Sequence, residues 1–387
     1  MPMLKKIFFL CLFIFLATLL FWGVYNISFK EKGVNSDNSS AISEPEDESG
    51  VLDALFPEDN SSKIKICSNE AVLAPLFSES DSRIRYFSKN TGKVFETNLD
   101  GADKKSLSTN EFSGLISASW SVDGKKAIVK TKNPDNSFAF YLYDPAEDAG
   151  IPIKKNVDEV SWQTNASRII YKYYDLSSQE RTINVSDPEG QNWKKLADIP
   201  YRYVSIAQIP KSGLISFWNS GDAYEETIFR SVPVIGGESE SIFEGKFGAD
   251  YLWSPSGENV LASHSDAKGG RKMQLAILNN NGGEYKNLEI PTFVSKCVWS
   301  RDNENIYYAL PGGISENAVL PNDYKDGTIK TADTFWKVNI NSGEKIRLVE
   351  TEDIKEKFDA TELFLNQDES LIFFVNRIDG KLHRIAL

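Results

Sequence analysis

The side chains that could act as nucleophiles, metal ligands or general bases are few and far apart in this sequence. Its only histidines are His264 and His383, and its cysteines are Cys11, Cys67 and Cys297. Zinc sites need several such ligands at short spacing, so no metal centre is predicted. The distant Cys67 and Cys297 predict no disulfide framework, although a single bridge between them stays open. No Gly-x-Ser-x-Gly segment marks a serine nucleophile. We therefore expect no cofactor, no metal, no catalytic residues and a protein that is not an enzyme.

Acidic residues leave one catalytic alternative open. The chain has 55 aspartates and glutamates, and its formal net charge is −12. Glycosidases use two carboxylates, which the fold can bring together from distant segments. No spacing in the sequence marks two of these acids as a pair. The same acidity argues against nucleic acid as a partner, because nucleic-acid binding needs clustered lysines and arginines.

A repeat provides the elements that would position any such residues. The stretch ASWSVDGKKAIV at residues 118–129 combines an apolar run ending in a large residue, a polar turn and a second apolar run, which together predict a β-hairpin. Copies recur at steps of 42 to 47 residues, with one step of 66. The large residues that end the first run are Phe77, Trp120, Trp162, Ile209, Trp253, Trp299 and Leu365. Steps of this size predict the four-stranded blades of a propeller.

The residues that define the repeat need no functional explanation. A tryptophan at the end of the first strand supplies a large buried surface between neighbouring sheets. An Asp-Gly or Ser-Gly pair makes the tight turn that follows. We expect structural roles for Trp120, Trp162, Trp253, Trp299, Asp123, Gly124 and Gly257.

The pattern Trp-Ser-x-Asp-Gly resembles the WD40-like repeat of TolB-type propeller proteins. It occurs at Trp120–Gly124 and, less closely, at Trp253–Gly257 and Trp299–Asn303. The resemblance implies an all-β fold with a single propeller of seven blades, with six or eight as alternatives. Propellers of this type serve as binding platforms. A Ser-His-Asp hydrolase domain often accompanies them in oligopeptidases, but no nucleophile motif for such a domain occurs here.

The chain divides into three segments by composition. Residues 1–29 include the uncharged run Ile7–Phe29, which is long enough to cross a membrane as a helix and has no clear cleavage site. Residues 30–62 are acidic and rich in serine, so we expect a disordered linker. Residues 63–387 form the propeller. Lys5 and Lys6 favour a cytoplasmic N-terminus, which would place the propeller outside the cytoplasm.

Two further features concern the ends and loops of the propeller. The last repeat supplies only three strands, so we expect Lys63–Cys67 to pair with Leu382–Leu387 and close the ring. The segment Pro311–Asp333 is about twenty residues longer than a plain blade requires, and long loops on rigid scaffolds often carry binding sites. We expect it to pack over one face and to be replaceable by a short turn without unfolding the ring. Its candidate binding residues are Leu320, Asp323, Tyr324 and Ile329.

These observations favour a monomeric, membrane-tethered propeller of the cell envelope that binds a protein or peptide partner, or an envelope glycan, without catalysis. The alternative is a hydrolase that acts on envelope glycans or peptides through carboxylates in the central channel. Two carboxylates facing each other across that channel would favour the alternative.

Overall fold

The protein is described here from a computed structural model, which defines residues 63–153, 156–164 and 167–387. The predicted anchor at 1–29 and the whole of the predicted linker at 30–62, with its short apolar run 51–56, lie outside these residues. Within the described part of the chain, no helix has the length and apolarity needed to span a bilayer. The described residues build seven four-stranded antiparallel sheets, each one blade of a propeller. The seven-bladed, all-β prediction is confirmed.

Each blade begins with its innermost strand and proceeds outward along the chain. Blade 1 contains β2 Val72–Ser78, β3 Arg83–Ser88, β4 Val94–Thr97 and β5 Lys105–Ser106. Blade 2 contains β6 Leu115–Trp120, β7 Ala127–Lys132, β8 Phe138–Asp144 and β9 Ala149–Pro152. Blade 3 contains β10 Val157–Trp162, β11 Ile169–Tyr174, β12 Arg181–Ser186 and β13 Lys194–Asp198. Blade 4 contains β14 Val204–Gln208, β15 Leu214–Asn219, β16 Glu226–Pro233 and β17 Glu240–Phe247.

The remaining blades follow the same order. Blade 5 contains β18 Asp250–Trp253, β19 Asn259–Ser265, β20 Met273–Asn279 and β21 Lys286–Asn287. Blade 6 contains β22 Cys297–Trp299, β23 Asn305–Leu310, β24 Thr334–Asn339 and β25 Lys345–Arg347. Blade 7 contains β26 Ala360–Leu365, β27 Leu371–Asn376 and β28 Leu382–Ala386. A one-turn helix, α1, spans Asn322–Lys325, and 3-10 turns span Val294–Lys296 and Thr351–Asp353.

The ring closes with a strand from before the first repeat. Strand β1, Ile64–Ile66, pairs antiparallel with β28, so that Ile64 lies opposite Ile385 and Ile66 opposite His383. This strand completes blade 7 as its outermost member, as the sequence predicts. Without it, the backbone groups on the outer edge of β28 would lack strand partners.

The four repeat tryptophans each join their own blade to the one before it. The indole N–H of Trp120 donates to the carbonyl of Ala74, 2.8 Å away, and that of Trp162 donates to the carbonyl of Ser119 at the same distance. Trp253 reaches the Ser216 hydroxyl. Trp299 donates to the Leu252 carbonyl in the same way. Each indole therefore adds a directed bond to the apolar contact between neighbouring sheets.

The turns after the tryptophans are tight and hydrogen-bonded. The Asp123 carboxylate accepts hydrogen bonds from the Ser121 hydroxyl and the Lys125 amide, and the Gly124 amide closes the turn onto the Ser121 carbonyl. Gly257 has φ +73°, and a β-carbon there would lie 2.1 Å from the Pro210 carbonyl oxygen. A larger residue cannot occupy this position without moving the neighbouring blade.

Strand direction defines two faces of the ring. The inner strands begin on one of them, here called the upper face, which also carries the loops between the second and third strands of every blade. Those loops span 89–93, 133–137, 175–180, 220–225, 266–272, 311–333 and 377–381. The loop 311–333 of blade 6, here called the long loop, is several times longer than its six counterparts.

Candidate functional site

A charged layer lies at one register position of the inner strands. Counting three residues back from the large residue of each repeat gives Ala74, Ser117, Glu159, Ile206, Asp250, Lys296 and Glu362. The contact between blades 7 and 1 illustrates the common level, because the Ala74 amide donates to the Glu362 carboxylate at 3.1 Å. Blades 3, 5 and 7 thus carry a carboxyl group at the equivalent position of the repeat, and blade 6 carries a lysine.

All three carboxyl groups have pKa values above the ordinary range. Burial raises the pKa of Glu159 to about 7, against the opposing charge of Lys130. Burial likewise raises the pKa of Asp250 and of Glu362. None of the three side chains is fully enclosed, and Glu362 is open to water. Carboxyl groups with raised pKa values are a feature of acid and base catalysts.

The hydrogen bonds of two of these acids differ. Asp250 Oδ1 accepts from the Trp218 indole at 3.0 Å and from the amide of Tyr251 at 3.1 Å, and the charge of Lys325 also favours its ionised form. Glu362 accepts one bond, from Ala74, and feels the charge of Lys89. Donors stabilise a carboxylate, so Asp250 is the better supported anion of the two.

Lys296, the cation of the layer, is sealed inside a buried ion cluster. Its ammonium lies 2.6 Å from Asp333 Oδ2 and 2.8 Å from Asp359 Oδ1, and all three side chains have no exposed area. It also donates to the Thr331 hydroxyl and the Ala360 carbonyl. Burial alone would lower the pKa of Lys296, but the neighbouring carboxylates outweigh that effect and raise it. The lysine therefore remains charged and holds the end of the long loop against blade 7.

The long loop packs on the upper face through an apolar side and a polar side. Leu320 and Tyr324 are buried in a cluster with Met273, Phe293 and Ala318, against which Ile329 is partly buried. The rings of Phe293 and Tyr324 stack at 4.2 Å. The Tyr324 hydroxyl donates to Asp359 Oδ1 at 3.0 Å. This packing ties the loop to both blade 5 and blade 7.

Two close contacts show how tightly the loop is seated. Gly248 has φ +60°, and a β-carbon there would lie 2.3 Å from the Pro321 ring. The amide of Leu320 donates to the Gly270 carbonyl. Asp333, at the end of the loop, also pairs with Lys296, so replacing the loop by a short turn would remove buried contacts. That the ring would stay folded after such a replacement remains a prediction.

Three cavities adjoin on the upper face. A cavity of about 240 Å³ lies under α1, between the starts of the inner strands of blades 5, 6 and 7, and is lined by Asp250, Ser295, Tyr324, Lys325, Thr361 and Arg377 among others. A second cavity, of about 610 Å³, contains Glu362 and shares Thr361 and Arg377 with the first. A third, of about 640 Å³, contains Tyr203 and Asp222 and shares Lys325 with the first. Asp250 and Glu362 thus line adjoining spaces at the mouth of the channel.

The candidate residues of the long loop have unequal positions in this arrangement. Tyr324 lines the cavity under α1, whereas Leu320 is buried and Ile329 is partly buried within the loop's own cluster. Asp323 accepts the Val319 amide inside the loop. Their role in binding stays a prediction. The sequence analysis missed Asp250, Glu362 and Glu159, although their shared offset from the repeat residue could have shown them.

The two histidines and the two cysteines of the described residues are buried apart from these cavities. His264 contacts Tyr285 and the Ser265 carbonyl, and His383 stacks on Phe374. Cys67 and Cys297 are free thiols. Among the described residues, no group of three His, Cys, Asp or Glu side chains is arranged to hold a metal ion.

Comparison with known proteins gives partial matches. No family model matches the chain. A curated relative, the uncharacterized peptidase YuxL of Bacillus subtilis, is 39% identical over 95 residues. This match covers 24% of the present chain and only 13% of the length of the relative.

Solved structures with the same fold include enzymes. An oligogalacturonate lyase from Vibrio parahaemolyticus has a TM-score of 0.58 at 10% identity, covering 85% of this chain and 94% of the lyase. The propeller domain of the Trilobed protease from Pyrococcus furiosus has a TM-score of 0.55 at 13% identity, covering 81% and 95%. An acylaminoacyl peptidase from Pyrococcus horikoshii has a TM-score of 0.51 at 14% identity, covering 79% and 49%. TolB from Acinetobacter baumannii is also similar, at 14% identity with a TM-score of 0.46, covering 73% and 63%.

These findings contradict the prediction that the protein is not an enzyme. The curated relative is named as a peptidase, and similar propellers occur in a lyase and in two peptidases. The prediction rested on the lack of a local nucleophile motif. The sequence left open a pair of distant carboxylates but could not show which acids the ring brings near one another, such as Asp250 and Glu362 in adjoining cavities.

Proposed function

We propose that the protein is a hydrolase of peptides that works by general acid–base catalysis at the upper mouth of the channel. The observation that carries the proposal is the placement of Asp250 and Glu362, both with raised pKa values, in adjoining cavities. A carboxyl group with a raised pKa can act as a general acid or a general base. The peptidase relative supports a peptide substrate over a glycan.

The two acids receive different roles from their surroundings. Asp250, with two hydrogen-bond donors and the charge of Lys325, is the base that removes a proton from water as the oxygen attacks the peptide carbonyl carbon. Glu362, with a single donor, is the acid that protonates the leaving nitrogen as the carbon–nitrogen bond breaks. The products are a carboxylic acid and an amine. Exchange with solvent then returns the proton from Asp250 and restores that of Glu362.

The experiment follows heavy oxygen from water into the products. The purified full chain is incubated in oxygen-labelled water with a peptide mixture and, separately, with cell-envelope oligosaccharides, and products are analysed by mass spectrometry. We expect one labelled oxygen in each new peptide carboxyl group. Asp250→Asn and Glu362→Gln should each slow the reaction by about a hundredfold or more, the usual contribution of a general acid or base.

The control is Glu344→Gln, which removes an exposed carboxylate in the turn between β24 and β25 on the opposite face. This variant should react like the original chain. Labelled products from oligosaccharides alone would replace the peptide by a glycan as substrate. No product from either mixture, or equal rates in all three variants, would refute acid–base hydrolysis at this site.

The location of the enzyme is a separate part of the proposal. The uncharged run Ile7–Phe29 supports a membrane anchor, with the propeller outside the cytoplasm and peptides of the cell envelope as its substrates. Cell fractionation should recover the full-length chain with membranes. Protease added to intact spheroplasts should digest the propeller. Recovery of a shortened chain in the soluble fraction would contradict the anchor.

A further inference from the structure

The cavity under α1 differs in charge from its neighbours. Its ionisable walls are two cations, Lys325 and Arg377, and one acid, Asp250, apart from the buried hydroxyl of Tyr324. The cavity beside Glu362 balances its charges, with Lys89 and Arg377 against Glu362 and Asp379. With Asp250 ionised, the walls of the cavity under α1 still carry one more cation than acids. This cavity is therefore the place on the upper face best suited to an anion.

The two cations are held in place by different contacts. Arg377 donates to the Tyr324 carbonyl at 3.1 Å and lies 3.5 Å from Asp359 Oδ2, while its guanidinium carbon is 4.1 Å from the centre of the Tyr324 ring. Its side chain retains 25% exposure. Lys325 donates to the Gly221 carbonyl at 2.7 Å from the end of α1. Both side chains are thus positioned before any ligand arrives, which lowers the entropic cost of binding.

The size of the cavity limits what it can accept. A volume of about 240 Å³ is below the range of roughly 300–1,000 Å³ that holds drug-sized ligands. Tyr324 and Phe293 form an apolar side, and Ser295 and Thr361 add polar groups. Such a space suits the last one or two residues of a chain rather than the middle of an extended one. A peptide end with a negative charge is a C-terminal carboxylate.

We propose that the cavity under α1 binds the C-terminal carboxylate of a peptide, through Lys325 and Arg377, and so directs the enzyme to peptide ends. This inference rests on the proposed peptide hydrolysis, because it places the terminal residue beside Asp250 and the preceding bond toward Glu362. Arginine and lysine both form charge-assisted hydrogen bonds with carboxylates. An amide in place of the terminal carboxylate would lose that charge.

The test compares a fluorescently labelled tetra-alanine peptide as the free acid and as the C-terminal amide. Binding is measured by fluorescence anisotropy on the full chain carrying Glu362→Gln, which prevents turnover and leaves the cavity under α1 intact. We expect the acid to bind at least about tenfold more tightly than the amide, as one charged hydrogen bond would produce. Adding Lys325→Met should reduce this preference to less than about threefold.

The matched control is Lys345→Met, which removes an exposed lysine of β25 whose ammonium contacts only the Glu289 carbonyl among the described residues. It should keep the full preference. Equal binding of acid and amide, binding of neither, or an unchanged preference in Lys325→Met would overturn the inference. Hydrolysis of acid and amide at equal rates would also overturn it while leaving the proposed function standing. If the chain prefers the acid over the amide but hydrolyses neither, the proposed hydrolase function is wrong and the carboxylate-binding site still stands.

Discussion

Removing the charge of Lys296 should destabilise the ring far more than removing an exposed lysine. In Lys296→Met, Asp333 and Asp359 keep their places in the interior but lose the ammonium that lies 2.6 and 2.8 Å away. Asp359 retains Arg377 at 3.5 Å, so most of the loss falls on Asp333. Breaking a buried pair by deleting one partner costs about 3–5 kcal/mol. Lys105→Met, at an exposed pair with Asp103, should change the free energy of unfolding little, because water and salt screen exposed charges.

The assay is urea unfolding of both variants and of Lys296→Met combined with Asp333→Asn. The double variant should be more stable than Lys296→Met, because the carboxylate that was left unpaired is gone. Burial already raises the pKa of Asp333, and without Lys296 that pKa should rise further. Since the folded state then holds a proton that the unfolded state releases, Lys296→Met should regain stability as the pH falls from 7 toward 5. A loss within 1 kcal/mol of that in Lys105→Met would refute the reasoning.

Three further outcomes follow from particular contacts. Glu159 has a folded pKa of about 7, above its ordinary value of 4.5, so the free energy of unfolding should fall as the pH rises between those values. Glu159→Gln should remove this loss of stability. The loss is at most roughly 3 kcal/mol, and it is smaller because water reaches the side chain. Urea titrations at pH 4.5 and 8 would measure it. Deleting residues 63–68 should lower the melting temperature, because β28 loses its partner β1, and an unchanged value would contradict strand closure. Trp253→Phe should lower the free energy of unfolding by about 1 kcal/mol or more in urea, because the indole loses its hydrogen bond to Ser216. A smaller effect would mean that Trp253 stabilises the ring through apolar packing alone.

The sequence predicts the ring well because its signals are local and repeated. Each copy carries its own strand pattern and turn, and a tryptophan such as Trp162 or Trp299 must fill the same gap between sheets in every copy. Even the missing strand could be predicted, since three strands in the last repeat leave an edge that Ile64–Ile66 is positioned to cover. Because the other copies carry the same pattern, the replacement of tryptophan by Ile209 and by Leu365 does not hide the repeat.

The site could not be read in the same way because its contacts join distant segments. Nothing near Lys296 in sequence shows that Asp333 and Asp359 will enclose it, since the long loop must first fold back over blade 7. Asp250 and Glu362 stand in blades that are not neighbours along the chain. What the sequence does contain is a register signal: in four of the seven copies, the residue three places before the repeat residue is charged.

That register position also explains why one sector of the ring differs from the rest. Seven equivalent positions surround the channel, yet only the one in blade 6 holds a cation, Lys296, and only blade 6 carries a long loop. The buried lysine and the loop depend on each other, because Asp333 from the loop neutralises the lysine and the lysine anchors the loop. Their pairing leaves Lys325 and Arg377 as the cations on the cavity walls beside Asp250. The long loop of blade 6 thereby makes one sector of the upper face different from the rest of the ring. We expect any reaction of the protein to depend on residues of this sector more than on those of the other blades.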